Sequence, residues 1–235
     1  MKTELSVIMP ALNEEENISN AISATLSALE ALDIDGEIIV VNDGSTDKTQ
    51  EIVNGISDKE SRIKIINHST PQGIGTSFRD GVAASGKNAV TLLPGDGEND
   101  PREVIKHLYL LDKFDMIVPY VLNKEVRSKT RQALSKIFLW IINLSFATRF
   151  RYTNGNVIYK RGVFDRIKQK CKGFFYQTEC LIKATRAGFT FTEVPIRINA
   201  RLGGRTKALS WKSFKTIARE YMDLFFLVNI LRKYD

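Results

Sequence analysis

The stretch AVTLLPGDGENDP, residues 89–101, joins an apolar run to a turn that holds three acids. Residues 89–93 have the apolar and β-branched composition of a buried strand, and the glycine-rich turn ends that strand. In an open sheet with helices on both faces, ligands bind outside the carboxyl ends of the strands. The stretch therefore predicts a strand of such a sheet that delivers Asp96, Glu98 and Asp100 to a ligand crevice.

The acids of this turn allow two interpretations. Asp96 and Glu98 stand two positions apart with glycine before and between them, so both carboxylates can reach one hard cation such as Mg²⁺ or Mn²⁺. Such a cation leaves its other positions to water and to the phosphates of a substrate. In the other interpretation the turn is solvated, and its acids cap a helix that begins at Pro101.

The residues before this stretch alternate short apolar runs with amphipathic ones, which is typical of βαβ units. Asn42–Asp47 turns into the second helix, with Ser45 as a plausible cap. The alternation predicts an α/β fold with a mostly parallel central sheet flanked by helices. The predicted strands are Leu5–Met9, Glu37–Val41, Ile63–Ile66 and Ala89–Leu93, and the predicted helices are Asn17–Leu32, Thr46–Ile56 and Thr76–Ala84.

The pattern changes after residue 115. The helix at Thr130–Ala147 is rich in bulky apolar residues, which fits either a buried core helix or a helix in a membrane interface. For Trp140 we expect ordinary helix packing. The remaining predicted strands are Met116–Val121, Thr153–Tyr159 and Phe189–Ile198, the remaining helices are Tyr176–Arg186 and Ser210–Leu231, and Asn199–Leu209 is a loop.

Length, charge and cysteine content narrow the class of protein. With 235 residues and no linker or repeat, the chain is expected to form one domain. Residues 1–123 carry a net charge of −10 and residues 124–235 a net charge of +17, so an anionic partner is expected. No nucleic-acid reading motif accompanies the basic half. Two isolated cysteines indicate a reducing compartment, and neither a signal peptide nor an apolar run long enough to span a bilayer is found.

Four loops follow the first four predicted strands, and in a doubly wound sheet they line one crevice. The first is PALNEE at 10–15, the second NDGSTD at 42–47, the third QGIG at 72–75, and the fourth is the acidic turn. The residues and their expected tasks are Glu14 and Asp43 for a base and ribose, Gly73 and Gly75 for close backbone approach, Arg79 as a cation, and Asp96 and Glu98 for a metal.

Taken in order, these motifs resemble glycosyltransferase family 2, and within it the dolichol-phosphate mannose synthase-like enzymes. Downstream, FYQTE at 175–179 is similar to that group's Gln-x-Glu helix start, and RLGGRTK at 201–207 to its Arg-x-x-Gly-x-Ser/Thr-Lys loop. The resemblance implies a GT-A fold and a nucleotide-diphosphate sugar donor. It divides the single domain, 1–235, into a nucleotide-sugar half at 1–123, an acceptor half at 124–210 and a basic amphipathic helix at 211–235.

The resemblance also implies roles for individual residues. Asp96, Arg201 and Lys207 would act in catalysis, with Asp96 and Glu98 holding the metal. One departure is Pro94, which stands where the family has the first aspartate of an Asp-x-Asp pair. The substrate-binding set is Pro10, Asn13, Glu14, Asp43, Gly73, Gly75, Arg79, Arg127, Arg131, Gln177, Glu179 and Thr206.

Three functions follow as hypotheses. The first is an inverting transfer of a sugar to a polyprenyl phosphate at the cytoplasmic membrane face, where the missing spanning segment favours a separate membrane-anchor protein. An acceptor phosphate is already largely ionised at neutral pH and needs no general base. The second is transfer to a saccharide hydroxyl, which needs a base such as Asp100 or Glu179. The third is a domain that binds nucleotide sugars without turnover.

Overall fold

The computed structural model describes residues 4–126, 128–197 and 211–234 and contains one seven-stranded sheet. Strands and helices alternate through the first half, as the sequence predicts. The strands are β1 Glu4–Ala11, β2 Asp35–Asn42, β3 Ile63–Asn67, β4 Ala89–Leu92, β5 Met116–Val121, β6 Ile158–Lys160 and β7 Phe191–Ile196. The helices are α1 Ile18–Ala31, α2 Thr49–Ser57, α3 Ile74–Ala84, α4 Pro101–Ile105, α5 Lys129–Phe146, α6 Tyr176–Arg186 and α7 Trp211–Phe225, which continues as a π-helical turn at Phe226–Ile230.

The sheet order is β3-β2-β1-β4-β6-β5-β7. Strand β6 runs antiparallel to both of its neighbours, and the other adjacent strands pair in parallel. Consequently β1, β2, β3, β4 and β5 all end at the same edge of the sheet. This carboxyl edge is where the predicted ligand loops should gather.

Alternate residues of the buried strands pack against different helices, as the two-residue period of a strand requires. On one face, Ile8 and Val90 pack into a core with α3, α5, α6 and α7. On the other face, Val7 and Ile38 pack into a core with α1, α2 and α4. The mostly parallel α/β fold expected from the sequence is confirmed.

Three local predictions were wrong. Residues 153–157 lie outside any strand, because β6 pairs only through Ile158–Lys160. Ser45 does not cap α2, since its hydroxyl accepts a hydrogen bond from the backbone N–H of Asn13. Trp140 is 65% exposed instead of packed.

Part of the predicted acceptor side lies outside the described residues. This holds for Arg127, Arg201, Thr206 and Lys207, and for the predicted loop Asn199–Leu209. Among the described helices, none combines the length and the apolar content that crossing a bilayer would take.

Candidate active site

Three of the four predicted loops are joined directly at the carboxyl edge. The backbone N–H of Asp43 donates to the carbonyl of Ala11 at 2.8 Å, which ties the second loop to the first. The N–H of Gly95 donates to the carbonyl of Pro10 at 3.0 Å, which ties the acidic turn to the same strand end. The half-buried Pro10 therefore lies between two of the predicted ligand loops.

Asn13 locks the first loop onto the second. It adopts a φ of 58°, in the left-handed region that asparagine tolerates better than most residues. Its side-chain oxygen accepts from the N–H of Thr46 at 2.8 Å. The N–H of Glu14 donates to the hydroxyl of Thr49 at 2.8 Å, and the Glu14 carboxylate accepts from Asn17 at 3.0 Å. These contacts fix the backbone from which Asn13 and Glu14 face solvent.

Asp43 organises the third loop. It is 5% exposed, and its two oxygens accept from the N–H groups of Gln72 at 2.8 Å and Gly73 at 2.9 Å. His68 Nδ1 lies 2.7 Å from Oδ1 of the same carboxylate, while His68 Nε2 lies 3.1 Å from Asp80. An ionised carboxylate has about four acceptor positions. A nucleotide that contacts Asp43 would therefore use the acceptor position that Gln72, Gly73 and His68 do not occupy.

The third loop needs glycine at 73 and 75 because backbone atoms from another part of the chain leave no room for a Cβ there. Gly73 has a φ of 95°, and a Cβ there would meet the carbonyl of Lys172 at 2.5 Å. A Cβ at Gly75 would collide with the carbonyl of Cys171 and approach the Cβ of Tyr176 at 2.9 Å. The close approach predicted at these glycines is thus made by residues 171–172. Sequence reasoning missed this contact, because about a hundred residues separate its two sides.

The acidic turn confirms the capping interpretation at Asp100, and the metal interpretation at Asp96 and Glu98 stays a prediction. Asp100 accepts from the N–H of Arg102 at 2.9 Å and caps α4. Asp96 Oδ1 accepts from the N–H of Glu98 at 3.0 Å, and both acids stay half-buried at the sheet edge. No group of three metal-ligating side chains occurs in 4–126, 128–197 or 211–234. The donor set fits a cation that takes one or two carboxylates and completes its shell with water and phosphate oxygens.

Gln177 and Glu179, which the resemblance assigns to substrate, are buried. Gln177 is 4% exposed and donates to the hydroxyl of Tyr159. Glu179 is 2% exposed, accepts from the N–H groups of Lys170 and Cys171, and pairs with Lys183 at 3.0 Å. Glu179 therefore stabilises the segment 170–172, which packs against the third loop.

Basic side chains meet beside the carboxyl end of β5. Arg131, Lys136 and Arg151 line a small cavity of about 50 Å³ together with Val121, the last residue of that strand. Arg151 also lies 3.6 Å from Glu193. Because only β6 separates β4 from β5, this cavity and the acidic turn follow strands about 10 Å apart. The sequence predicted Arg131 here, but not Lys136 or Arg151.

The structure describes the surroundings of Arg79 and of Arg197, which precedes the predicted loop with Arg201 and Lys207. Arg79 is 46% exposed on its side chain, lies 3.3 Å from Asp80, and lines a cavity between α3 and residues 161–170. The N–H of Arg197 donates to Glu103 at 3.1 Å. Glu103 belongs to α4, which follows the acidic turn directly. Arg197, the last described residue before the gap at 198–210, therefore lies beside α4.

Comparison with known proteins finds relatives among glycosyltransferases. The family model described as Glycosyl transferase family 2 matches residues 6–170. An uncharacterized glycosyltransferase of Synechocystis sp. is 29% identical over 223 residues, which are 90% of this chain and 66% of the relative. A dolichyl-phosphate beta-glucosyltransferase of Trichomonas vaginalis is 28% identical over 219 residues, 86% of this chain and 68% of the relative. The chain thus spans about two-thirds of the length of these relatives.

A solved structure shares the fold. Glucosyl-3-phosphoglycerate synthase of Mycobacterium tuberculosis, solved with Mn²⁺, UDP-glucose and phosphoglyceric acid, has a TM-score of 0.67 at 16% identity. The likeness covers 96% of this chain and 79% of that one. At this identity it supports the architecture alone, and it confirms the predicted GT-A fold. With a family model that matches most of its length, the chain belongs to glycosyl transferase family 2.

Proposed function

We propose that this family 2 glycosyltransferase moves one sugar from a nucleotide-diphosphate sugar to a polyprenyl phosphate. The observation that carries the proposal is the pairing of two sites on one sheet edge. The acidic turn with Asp96 and Glu98 follows β4, and the basic cavity with Arg131, Lys136 and Arg151 follows β5. A metal-bound diphosphate at the first and an acceptor phosphate at the second would lie about two strand spacings apart.

The donor side rests on Asp96, Glu98 and the loops that Asp43 and Asn13 hold together. A bound Mg²⁺ or Mn²⁺ would neutralise the charge that builds on the departing nucleoside diphosphate. Asp96 and Glu98 would hold that ion, and Asp43 would contact the nucleotide. We assign Arg201 and Lys207 to the donor diphosphate or the acceptor phosphate, and Thr206 and Arg127 to substrate, as the family resemblance implies.

The positions of the two predicted general bases favour a phosphate acceptor over a saccharide hydroxyl. A hydroxyl needs a general base within hydrogen-bond reach. Of the two predicted bases, Glu179 is buried and hydrogen-bonded, and Asp100 caps α4. An ionised phosphate monoester needs no such base. The Trichomonas relative, whose name gives dolichyl phosphate as its acceptor, supports the same choice.

An exposed apolar face suits a lipid acceptor. We define the apolar face by residues of α5 and of α7 with its π-helical turn. The two helices are neighbours, since Ser145 Oγ lies 2.7 Å from the Tyr221 hydroxyl and Asn229 donates to the Ser145 carbonyl at 3.0 Å. The exposed members are Leu134, Ile137, Trp140, Ile141, Leu144, Met222, Phe226 and Ile230.

Basic residues accompany the apolar face. Lys129 and Lys136 on α5 and Arg219 on α7 are not buried, and apolar residues with lysine and arginine alongside fit an anionic lipid surface. We therefore place the protein peripherally at the cytoplasmic membrane face. The occupant proposed for the apolar face is the interface of an anionic bilayer, and a separate membrane-anchor protein remains a proposal.

Substitution at the two sites tests the proposal. Asp96→Asn should lower sugar transfer by about 100-fold or more, because a neutral amide holds the metal and the leaving diphosphate poorly. Arg131→Glu should raise the KM for the lipid phosphate more than that for the donor. Asp58→Asn, at an exposed position after α2, is the matched control and should leave both constants unchanged. Undiminished turnover of Asp96→Asn in the presence of a chelator would contradict the metal role.

A further inference from the structure

A second, larger cavity lies outside the crevice, on the face of the sheet that carries α3. Its volume is about 390 Å³, within the range of small-molecule sites. It lies between α3 and the segment 161–170. The lining residues are Phe78, Arg79, Val82, Ala83, Arg161, Phe164, Asp165, Ile167, Lys168, Gln169 and Lys170.

The cavity extends away from the carboxyl edge. The N–H of Arg161 donates to the carbonyl of Asn88 at 2.8 Å, and Asn88 directly precedes β4. The segment 161–170 thus begins at the amino edge of the sheet, opposite the acidic turn. Val82 and Ala83, in the last turn of α3, line the same end.

The floor of the cavity is apolar. Phe78 and Val82 of α3 face Phe164 and Ile167, and the rings of Phe78 and Phe164 meet edge to face with centroids 5.5 Å apart. Phe164 is only partly buried although it packs against the core. Apolar surface left open inside a concave site gains free energy when an apolar ligand covers it.

The rim of the cavity is cationic. Four cations, Arg79, Arg161, Lys168 and Lys170, surround one acid, Asp165. Arg161 lies 3.6 Å from Asp165 and Arg79 lies 3.3 Å from Asp80, so two acids stand against the four cations. Lys168 is exposed. The rim therefore keeps an excess of positive charge, which is complementary to an anionic head group.

One buried polar side chain completes the lining. Gln169 is 6% exposed, and its Nε2 donates to the carbonyl of Cys171. That bond fixes the orientation of the amide and leaves Oε1 without a partner among the described residues. That oxygen is itself buried and is not open to the cavity. A nucleobase needs several matched donors and acceptors, and burying its edge here would leave polar atoms unpaired.

We propose that this cavity binds an amphiphilic phosphate monoester, with the apolar chain along α3 and the phosphate at Arg161 and Lys168. A chain without a charge would leave the cationic rim unmatched, and a phosphate without a chain would leave the half-buried Phe164 uncovered. The site is separate from the acidic turn and from the basic cavity of Arg131. The inference does not depend on the acceptor proposed above.

A photoreactive farnesyl phosphate tests the site, with labelled peptides mapped by mass spectrometry on the purified full chain. We expect label in residues 78–83 and 161–170. Excess farnesyl phosphate should compete, farnesol should compete about fivefold or more weakly because it lacks the charge, and inorganic phosphate and UMP should not compete at the same concentration. Label confined to other segments, or competition by UMP in place of farnesyl phosphate, would overturn the proposal.

Two neighbouring alanines provide matched variants. Ala83 lines the cavity and Ala84 does not, and both are exposed on α3, so tryptophan at either position should leave the fold intact. Ala83→Trp should abolish the label in 161–170, and Ala84→Trp should retain it. Arg161→Glu should lower labelling about fivefold. Equal labelling in both tryptophan variants would contradict the site.

The same variants separate this inference from the proposed function. Arg131→Glu should retain the label in 78–83 and 161–170 while its KM for the lipid phosphate rises. Ala83→Trp should retain transfer while it loses the label. Loss of the label in Arg131→Glu would assign the binding to the acceptor site and refute a second one.

Discussion

The backbone N–H of Gly75 donates to the carbonyl of Lys172 at 2.8 Å. This bond joins the start of α3, at the carboxyl edge of the sheet, to the segment that precedes α6. On its other side, that segment contacts α7, because the N–H of Gly173 donates to Glu220 at 3.4 Å. The third loop and the C-terminal helix are therefore connected through residues 171–173.

Gly75→Ala should break this connection. The added Cβ collides with the carbonyl of Cys171, so we expect a loss of about 1–3 kcal/mol in the free energy of unfolding and a raised KM for the donor. Gly55→Ala is the control, since a Cβ on that α2 residue meets nothing within 4 Å. That control should gain about 0.5–1 kcal/mol. Denaturant unfolding measures both, and equal stability of the two variants would refute the tight packing.

Asp43→Asn should release the third loop. An amide has one acceptor oxygen where the carboxylate uses both, so the N–H of Gly73 or of Gln72 loses its partner. The loss should be about 1–3 kcal/mol, accompanied by weaker donor binding in calorimetry. Asp80→Asn changes the other contact of His68 without touching the loop. If it weakens donor binding as much as Asp43→Asn does, the loop is not the cause.

Glu220→Gln should make stability less dependent on pH. Burial raises the pKa of Glu220 above the usual value of 4.5, against backbone hydrogen bonds from Gly173 and Lys172 that lower it. Because the folded state holds this proton more tightly than the unfolded chain, stability falls as pH rises from 4.5 through the raised pKa. The glutamine is neutral throughout and avoids that loss.

Melting temperatures at several pH values measure this effect. Glu220→Gln should melt above the wild type at alkaline pH, and the difference should shrink as the pH falls toward 4.5. Glu51→Gln, at an exposed position on α2, is the control and should follow the wild type. A variant that melts below the wild type at alkaline pH would show that the ionised carboxylate stabilises the fold.

Removal of the apolar face should weaken membrane binding. Burying a large apolar side chain contributes about 1.5–3 kcal/mol, so Trp140→Ser with Leu144→Ser should lower binding to anionic vesicles about tenfold or more. Cosedimentation measures it. Tyr109→Ser is the control, because Tyr109 is 63% exposed but lies on neither α5 nor α7. An equal loss with Tyr109→Ser would contradict a specific membrane face.

The sequence predicted the elements whose signal is local. Met116–Val121 and Tyr176–Arg186 have the predicted bounds, because composition and period agree within each segment. The strand at 153–159 failed since residues 153–157 serve polar contacts instead, such as that from Asn156 to the carbonyl of Leu92 at 2.6 Å. Such contacts depend on partners far along the chain, which periodicity does not reveal.

For the candidate site, too, the sequence predicted the arrangement of the loops but not the contacts of the side chains. The order of motifs predicted that the loops at Pro10, Asp43 and Asp96 would meet, because strands of a parallel sheet end at one edge. It did not predict what the side chains do there. Glu179 carries the right charge for a base, yet the N–H groups of Lys170 and Cys171 surround it. Burial of that kind is a property of the assembled core.

The identity of the glycosylated product tests the central claim most directly. The purified chain is incubated with a panel of nucleotide-diphosphate sugars and Mn²⁺, together with polyprenyl phosphate or with saccharide acceptors, and products are identified by mass spectrometry and NMR. We predict one sugar added to the lipid phosphate, with the anomeric configuration opposite to that of the donor. Sugar found only on saccharide acceptors, or donor binding with no product on any acceptor, would contradict the account.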